Sequence, residues 1–306
     1  MSERRKGERD FLGSAETPYS KGLMARGLTA VGVREEHAYE LARRVEKDLD
    51  VRREVSVDLD RLRELAEQLL GEKQGARAVR QLRRFRDLQE LDLPVILLVG
   101  GGTGTGKSTV ATEVAYRLGI TRVTSTDFVR QTMRAFFAKE FMPSIHYSSF
   151  EAGLGLSKAE EEESGDAALL GFLDQTRNVL TGVEAALQRA LDEGWSMVLE
   201  GVHLVPGMIT TELRDALVVH CVLAIHDEEI HRGHFWIRDA DSDGVRPGDR
   251  YISGLPEIRM IQEYVLERAA RNDVPVIENE RQNDAIAAVM NLVLEQAERV
   301  AQATSR

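Results

Sequence analysis

The chain has 306 residues, of which 42% are hydrophobic and 30% are charged, an ordinary composition for a globular protein. Its longest apolar runs, such as residues 95–99, are only as long as a strand, so the sequence predicts no transmembrane helix. A formal net charge of −11 argues against binding to nucleic acid or to an acidic membrane surface. Anionic ligands would therefore need locally clustered arginines.

Two features indicate the compartment. The first six residues are polar and no apolar segment of a secretory signal follows them. The single cysteine, Cys221, excludes an intramolecular disulfide and fits a reducing environment. We therefore expect a cytoplasmic protein.

The N-terminal third is predicted to be helical. Residues 1–15 read as a mobile polar tail, and residues 16–92 as a small helical domain, because apolar residues recur there three and four apart. Gly71 is a predicted helix stop. The predicted inward-facing residues are Leu23, Ala30 and Val31, then Ala38, Leu41, Ala42, Val45 and Leu49, then Leu62, Leu65, Ala66 and Leu69, and finally Val79, Leu82 and Phe85.

The pattern changes after Pro94, and residues 93–306 are predicted to form one domain. The continuous apolar run at 95–99 is typical of a strand buried on both faces of a parallel sheet. Strands that alternate with helices predict an α/β fold, a parallel sheet with helices on both faces. Further strands are predicted at 122–125, 196–199, 218–225 and 274–277, and the principal helices at 168–192 and 284–302.

The strongest motif is a phosphate-binding loop that matches G-x-x-x-x-G-K-[ST] in full. It follows a predicted buried strand and opens an amphipathic helix, which is the context the motif requires. Its glycines let backbone N–H groups converge on a β-phosphate. Lys107 is predicted to reach the β- and γ-phosphates, and Ser108 to offer its hydroxyl to Mg²⁺. The predicted Mg-ATP site comprises Gly101, Gly102, Thr103, Gly104, Thr105, Gly106, Lys107, Ser108 and Thr109. With this motif and the predicted α/β fold, the sequence resembles the P-loop NTPases of the nucleoside-monophosphate-kinase type.

Two carboxylates stand where neighbouring strands are predicted to end. Asp127 is predicted to act as a base or to anchor the hydroxyl of the acceptor, and Glu200 to lie on the metal side. Each has an alternative interpretation. Asp127 could cap a helix over 129–137, and Glu200 could be an ordinary carboxylate at a strand end.

Seven arginines are candidates for phosphate contact, because a guanidinium presents a planar fork to phosphate oxygens. Arg130 and Arg134 are four apart on one predicted helix and are expected to grip the acceptor. Arg232 and Arg238 belong to a glycine-containing segment that we interpret as a closing lid with catalytic arginines. The alternative is a solvated loop with surface arginines. The remaining members of that segment are Arg246, Arg250 and Arg259.

Two patterns imitate metal sites. Residues 239–244 resemble the start of a calcium loop, but the twelfth position is Arg250 and Pro247 falls inside, so calcium binding is disfavoured. His231 and His234 lack a second pair at ligand spacing, so phosphate contact or plain surface is favoured over zinc.

With these motifs the sequence resembles the 2-phosphoglycerate kinases, known best from methanogenic archaea. The resemblance spans almost the whole chain. It rests on residues 100–109, 125–130, 142–149 and 200–207, and the segment 231–238 is also similar. The stretch E-G-V-H-L-V-P-G at 200–207 is more specific than the phosphate loop itself.

Residues 18–86 resemble an ATP-cone domain, a small nucleotide-sensing helical module. The chain departs from that pattern because it lacks a clear β-hairpin before Pro18. Nucleotide binding by this part and a docking role are therefore both kept as hypotheses, and a homodimer is an open expectation.

The resemblance implies transfer of the γ-phosphoryl group of ATP to the 3-hydroxyl of 2-phosphoglycerate, a small anionic phosphorylated acceptor, giving 2,3-bisphosphoglycerate. It implies acceptor contacts from Arg130, Arg134, His146 and His203. Two alternatives stay open: a P-loop kinase of another small hydroxy acid or polyol, and an ATP-sensing regulatory protein without phosphotransfer.

Overall fold

The structure is a computed structural model that describes residues 11–14, 17–156, 166–211, 213–241 and 248–304. Its contacts divide the chain into two compact units. One comprises residues 1–92 together with 290–306, and the other comprises residues 93–289. Residues 290–306 thus group with the N-terminal unit, whereas the sequence pattern had assigned them to the second domain.

The first unit contains helices α1 (Lys21–Ala30), α2 (Glu35–Arg52), α3 (Leu59–Leu70) and α4 (Glu72–Glu90). All five apolar residues predicted to face inward from α2 are buried. The backbone of Gly71 has φ +83°, and it ends α3 as predicted. In α1 the predicted inward-facing Ala30 is buried, but the prediction was wrong for Leu23, which is exposed, whereas Met24 and Leu28 are buried. The resemblance to an ATP cone stays a prediction.

Part of the predicted N-terminal tail is packed. Phe11 and Leu12 are both buried, and the backbone N–H of Val57 donates to the carbonyl of Leu12 at 2.9 Å. The expectation of a mobile tail is therefore wrong for these two residues, since their apolar side chains have a core to enter. Residues 1–10 and 15 lie outside the described part of the chain.

The second unit confirms the predicted α/β fold with a parallel sheet. Its strands are β1 (Val95–Gly101), β2 (Val123–Ser125), β3 (Met197–Glu200), β4 (Leu217–Ala224) and β5 (Val276–Glu278), in the spatial order β2-β3-β1-β4-β5. All four pairings among them are parallel. Cys221 is fully buried in β4, and burial raises the pKa of its thiol to about 12.

Helices flank this sheet: α5 (Lys107–Leu118), α6 (Thr126–Phe136), α7 (Ala167–Asp192), α8 (Glu228–Asp241), α9 (Gly248–Ser253) and α10 (Leu255–Arg271). The last helix is α11 (Gln282–Thr304), and its residues from 290 onward group with the first unit. Short 3₁₀ turns occur at Ser144–His146 and Ser149–Gly155. Val179, Val183 and Leu187 of α7 pack with Ile96 and Leu98 of β1 in one apolar cluster. No helix of the described residues is both long and apolar enough to span a membrane.

The sheet topology determines where a site can form. Because parallel strands end at the same edge of a sheet, the residues that follow them converge there. The phosphate loop follows β1, Asp127 lies just after β2, and Glu200 is the last residue of β3.

Candidate active site

The phosphate loop lies between β1 and α5, and its glycines are required by backbone conformation. Gly101, Gly104 and Gly106 have φ values of +137°, +85° and +78°, which residues with a Cβ rarely adopt. Space is limiting as well. A Cβ on Gly101 would lie 2.2 Å from the carbonyl oxygen of Leu223, and one on Gly106 would lie 2.4 Å from Nδ2 of Asn279.

Lys107, Ser108 and Glu200 form the charged centre of the site. Nζ of Lys107 donates to the carbonyl of Gly102 at 2.5 Å, so the ammonium group curls back over its own loop. The hydroxyl of Ser108 donates to Oε1 of Glu200 at 2.9 Å, and the Glu200 side chain is buried. A hydroxyl from the first turn of α5 and a carboxylate from the end of β3 therefore meet beside the loop. The role of these two residues in holding a metal stays a prediction.

Asp127 lies in the first turn of α6, where its carboxylate meets Arg130. The alternative interpretation, in which Asp127 caps this helix, was wrong, because Ser125 caps it by accepting from the N–H of Phe128 at 3.0 Å. Nε of Arg130 donates to Asp127 at 3.2 Å. Desolvation opposes the ionisation of Asp127, but His203, Arg130 and Lys107 hold its pKa below the ordinary value. Asp127 is therefore ionised at neutral pH.

Arg130 is buried and holds the 145–147 segment beside α6. Its Nη1 donates to the carbonyls of Ile145 at 3.0 Å and Tyr147 at 2.8 Å. Arg134, one turn later, is exposed and donates to the side chain of Gln131. The two predicted acceptor arginines therefore differ: Arg130 is buried and binds backbone carbonyls, whereas Arg134 is a cation on the surface.

His203 is fully buried in a network that leaves neither ring nitrogen for a ligand. Gln175 uses its Nε2 to donate to the carbonyls of Ser144 and Tyr147, so its Oε1 accepts from Nε2–H of His203 at 2.9 Å. Nδ1 of His203 then accepts from the hydroxyl of Thr126 at 2.7 Å. Burial lowers the pKa of His203 to about 4, so the ring is neutral. The predicted direct contact of His203 with the acceptor is not available in this arrangement.

His146 lies on the 3₁₀ turn that Arg130 and Gln175 hold. Its Nε2 is 2.9 Å from the carbonyl of Phe137. Nearby, the ammonium group of Lys139 lies 4.6 Å from the ring centre of Tyr147. Two cations, Arg130 and Lys139, thus contact this segment, and the acceptor contact of His146 stays a prediction.

The described arginines of the predicted lid are paired with glutamates. Arg232 donates to Glu228 at 3.0 Å, and Arg259 donates to the carbonyl of His226 at 2.9 Å. Arg250 forms an ion pair with Glu151. Arg238 belongs to α8, but its side chain lies outside the described part, as does the whole of Arg246. Their catalytic roles stay predictions.

His231 and His234 contact the phosphate loop itself. Nε2 of His231 lies 2.7 Å from the carbonyl of Thr103, and Nδ1 of His234 lies 3.1 Å from that of Gly104. They therefore bind backbone oxygens, which neither the phosphate nor the surface interpretation had predicted. Among the described residues, no group of three or more His, Cys, Asp or Glu side chains could hold a metal ion.

Comparison with known proteins decides the family. A 2-phosphoglycerate kinase of Methanothermobacter thermautotrophicus is 39% identical over 263 residues, which cover 86% of this chain and 85% of that protein. The 2-phosphoglycerate kinase of Pyrococcus furiosus is 36% identical over 94% of this chain and 92% of its own length. That of Methanopyrus kandleri is 35% identical over 91% and 84%. The chain belongs to the 2-phosphoglycerate kinase family. No family profile matches it.

In this member of the 2-phosphoglycerate kinase family, sequence reasoning did not single out two polar residues of the site. Gln175 interrupts the apolar face of α7, and a polar residue at a core position was the available signal. Asn279 follows β5 and donates to the carbonyl of Thr105 at 2.8 Å. Its position just after a parallel strand is the same signal that identified Glu200.

Proposed function

We propose that this chain transfers the γ-phosphoryl group of ATP to the 3-hydroxyl of 2-phosphoglycerate, giving 2,3-bisphosphoglycerate. One observation carries the proposal. The phosphate loop, Glu200 and Asp127 converge at one edge of the sheet, in a chain that matches 2-phosphoglycerate kinases along nearly its whole length. ATP is the donor expected of a kinase of this family.

We call residues 101–109 with His231, His234 and Asn279 the donor side of the site. Backbone N–H groups of the loop, with Lys107, would bind the β- and γ-phosphates. Ser108 and Glu200 would hold Mg²⁺, because a hydroxyl and a carboxylate are hard oxygen ligands and phosphates supply others. When bound, Mg²⁺ would neutralise part of the phosphate charge.

We call Asp127, Arg130, Arg134, His146 and the buried His203 network the acceptor side. The 3-hydroxyl oxygen would attack the γ-phosphorus, the bond to the bridging oxygen would break, and ADP would leave. Asp127 is ionised and would accept the hydroxyl proton as the new bond forms. Arg130 would orient Asp127 and the 145–147 segment, and the exposed Arg134 would meet an acceptor anion.

The decisive experiment measures ADP release from Mg-ATP with 2-phosphoglycerate, 3-phosphoglycerate, glycerate or no acceptor, and identifies the product by phosphorus NMR. We expect stimulation by 2-phosphoglycerate alone and a bisphosphorylated product. Stimulation by a different acceptor would redirect the proposal to another hydroxy acid or polyol. ATP binding without turnover on any acceptor would favour the ATP-sensing alternative.

A further inference from the structure

The carbonyl groups of residues 102–106, in the phosphate loop, are all hydrogen-bonded. Gly102 accepts from Thr105 Oγ1 at 2.9 Å as well as from Lys107, and Gly106 accepts from the N–H of Val110. The three carbonyls between them accept from side chains far along the chain. These donors are His231 for Thr103, His234 for Gly104 and Asn279 for Thr105.

Anchoring a carbonyl also orients an N–H group. In a trans peptide the C=O of one residue and the N–H of the next point in opposite directions in one plane. Fixing the carbonyl of Thr103 outward therefore fixes the N–H of Gly104 inward, and fixing the carbonyl of Gly104 does the same for Thr105. Inward N–H groups are what a phosphate loop offers to its ligand.

His231 is a polar side chain at a buried position where an apolar ring would cost less free energy to bury. It is fully buried and stacks on Phe235 with ring centres 5.3 Å apart. Its Nε2–H donates to Thr103, but within the described residues its Nδ1 has no hydrogen-bond partner. A buried unsatisfied acceptor costs about 1–3 kcal/mol. Because the histidine is present despite this cost, we interpret its role as the hydrogen bond that Nε2–H donates to Thr103.

Helix α8 is also fitted to the loop sterically. A Cβ on Gly104 would lie 2.5 Å from Cζ of Phe235 and 3.0 Å from Nε2 of His231. The absence of a Cβ on Gly104 thus lets the side chains of α8 approach the loop backbone closely, and glycine also permits the φ of +85°.

We infer that His231 and His234 are positioning residues for the phosphoryl donor, holding the Thr103–Thr105 peptides in the orientation that binds the phosphates of ATP. The inference rests on the proposed function, because it assigns these residues to the same nucleotide site. It also means that the first turns of α8 belong to the rigid support of the loop. A moving lid would have to hinge beyond Phe235.

The test compares variants that keep or remove the donor at the same place. His231→Phe keeps a ring against Phe235 but lacks the N–H, whereas His231→Gln places an amide N–H near the position of Nε2. The second pair is His234→Leu and His234→Asn, since the asparagine amide mimics Nδ1. Calorimetry measures the Kd of Mg-ATP without acceptor, thermal unfolding without nucleotide monitors the fold, and steady-state rates give both KM values.

We expect His231→Phe to weaken ATP binding about tenfold, the effect of losing roughly 1.4 kcal/mol, and to raise the KM for ATP but not for the acceptor. His231→Gln should stay within about threefold of the parent protein. The unfolding midpoint should not fall in His231→Phe, because the orphaned Nδ1 disappears together with the donor.

Unchanged ATP binding in His231→Phe would overturn the inference, and so would equal losses in the Phe and Gln variants. If His231→Phe fails to fold, the partly exposed His234 decides through the same Leu and Asn comparison. Since ATP binding is measured without acceptor, the result stands apart from the proposed acceptor. A chain that binds ATP normally but phosphorylates nothing would contradict the proposed function alone.

Discussion

On the donor side, the groups expected to meet the ligand belong mainly to the backbone, whereas on the acceptor side they are side chains. The loop carbonyls are held from behind by His231, His234 and Asn279. The acceptor side instead depends on a chain of side-chain bonds from Thr126 through His203 and Gln175 to the 144–147 turn. From this comparison we infer that the triphosphate is bound by backbone groups that the fold holds in place, while the choice of acceptor is determined by individual side chains.

The largest effect should come from removing the one side-chain cation of the donor side. Lys107→Ala is expected to lower kcat by roughly a thousandfold or more, because the ammonium group stabilises charge on the transferring phosphoryl group. Initial rates of ADP formation measure it, with the exposed Lys73→Ala as a control of matched chemistry. A loss of less than tenfold would contradict the role given to Lys107.

Asp127→Asn tests whether the acceptor side carries proton transfer. We expect kcat to fall about a hundredfold while the Kd of ATP is unchanged, because the amide cannot accept the hydroxyl proton. Asp192→Asn, an exposed change on α7, is the control. A variant with normal kcat would show that Asp127 only orients Arg130.

The acceptor side and the donor side each contain a buried neutral histidine, His203 and His231 respectively. These two residues predict that the free energy of unfolding depends on pH. The pKa values of His203 and His231 are lowered to about 4, chiefly by burial, from an ordinary value of 6.5. Protons therefore bind the unfolded chain first, so stability is complete above pH 6.5 and is lost as pH falls toward 4. Between pH 7.5 and pH 5 each histidine should cost about 2 kcal/mol.

Urea unfolding at both pH values measures this loss. His231→Phe should make this loss smaller by the share of that histidine, about 2 kcal/mol. Equal acid sensitivity of the His231→Phe and parent proteins would contradict the assignment for the donor side.

The smallest expected effect separates the two arginines of α6. Arg130→Ala should lower kcat/KM for the acceptor about tenfold or more, because Asp127 and the 145–147 carbonyls lose a buried donor. Arg134→Ala should raise the acceptor KM only about threefold, since an exposed cation is screened by solvent. Steady-state kinetics at low and high salt compares them, and larger salt dependence is expected for the contact made by Arg134.

Most of the fold could be predicted from local patterns. The strand runs, the stop at Gly71 and the buried face of α2 were predicted because each depends on neighbours within a turn or two. The helix cap at Ser125 was missed because serine and aspartate both cap well and stand two residues apart.

The hydrogen bonds that hold the site in place could not be predicted from local sequence patterns. His231 lies 128 positions along the chain from its partner Thr103, and Asn279 lies 174 positions from Thr105. A pattern of local spacing cannot predict contacts over such separations. The resemblance implied that His203 contacts the acceptor. Only the packing of α7 against the site reveals that Gln175 and Thr126 occupy both of its nitrogens.

The burial of Cys221 has a practical consequence. Because this is the only cysteine and its buried thiol stays protonated at neutral pH, thiol-reactive dyes should leave the native protein unlabelled. Cysteines introduced together at exposed Val51 and Tyr116 would then be the thiols that react. The two positions belong to different units, so a donor and acceptor fluorophore pair could follow, one molecule at a time, how the units respond when ATP arrives.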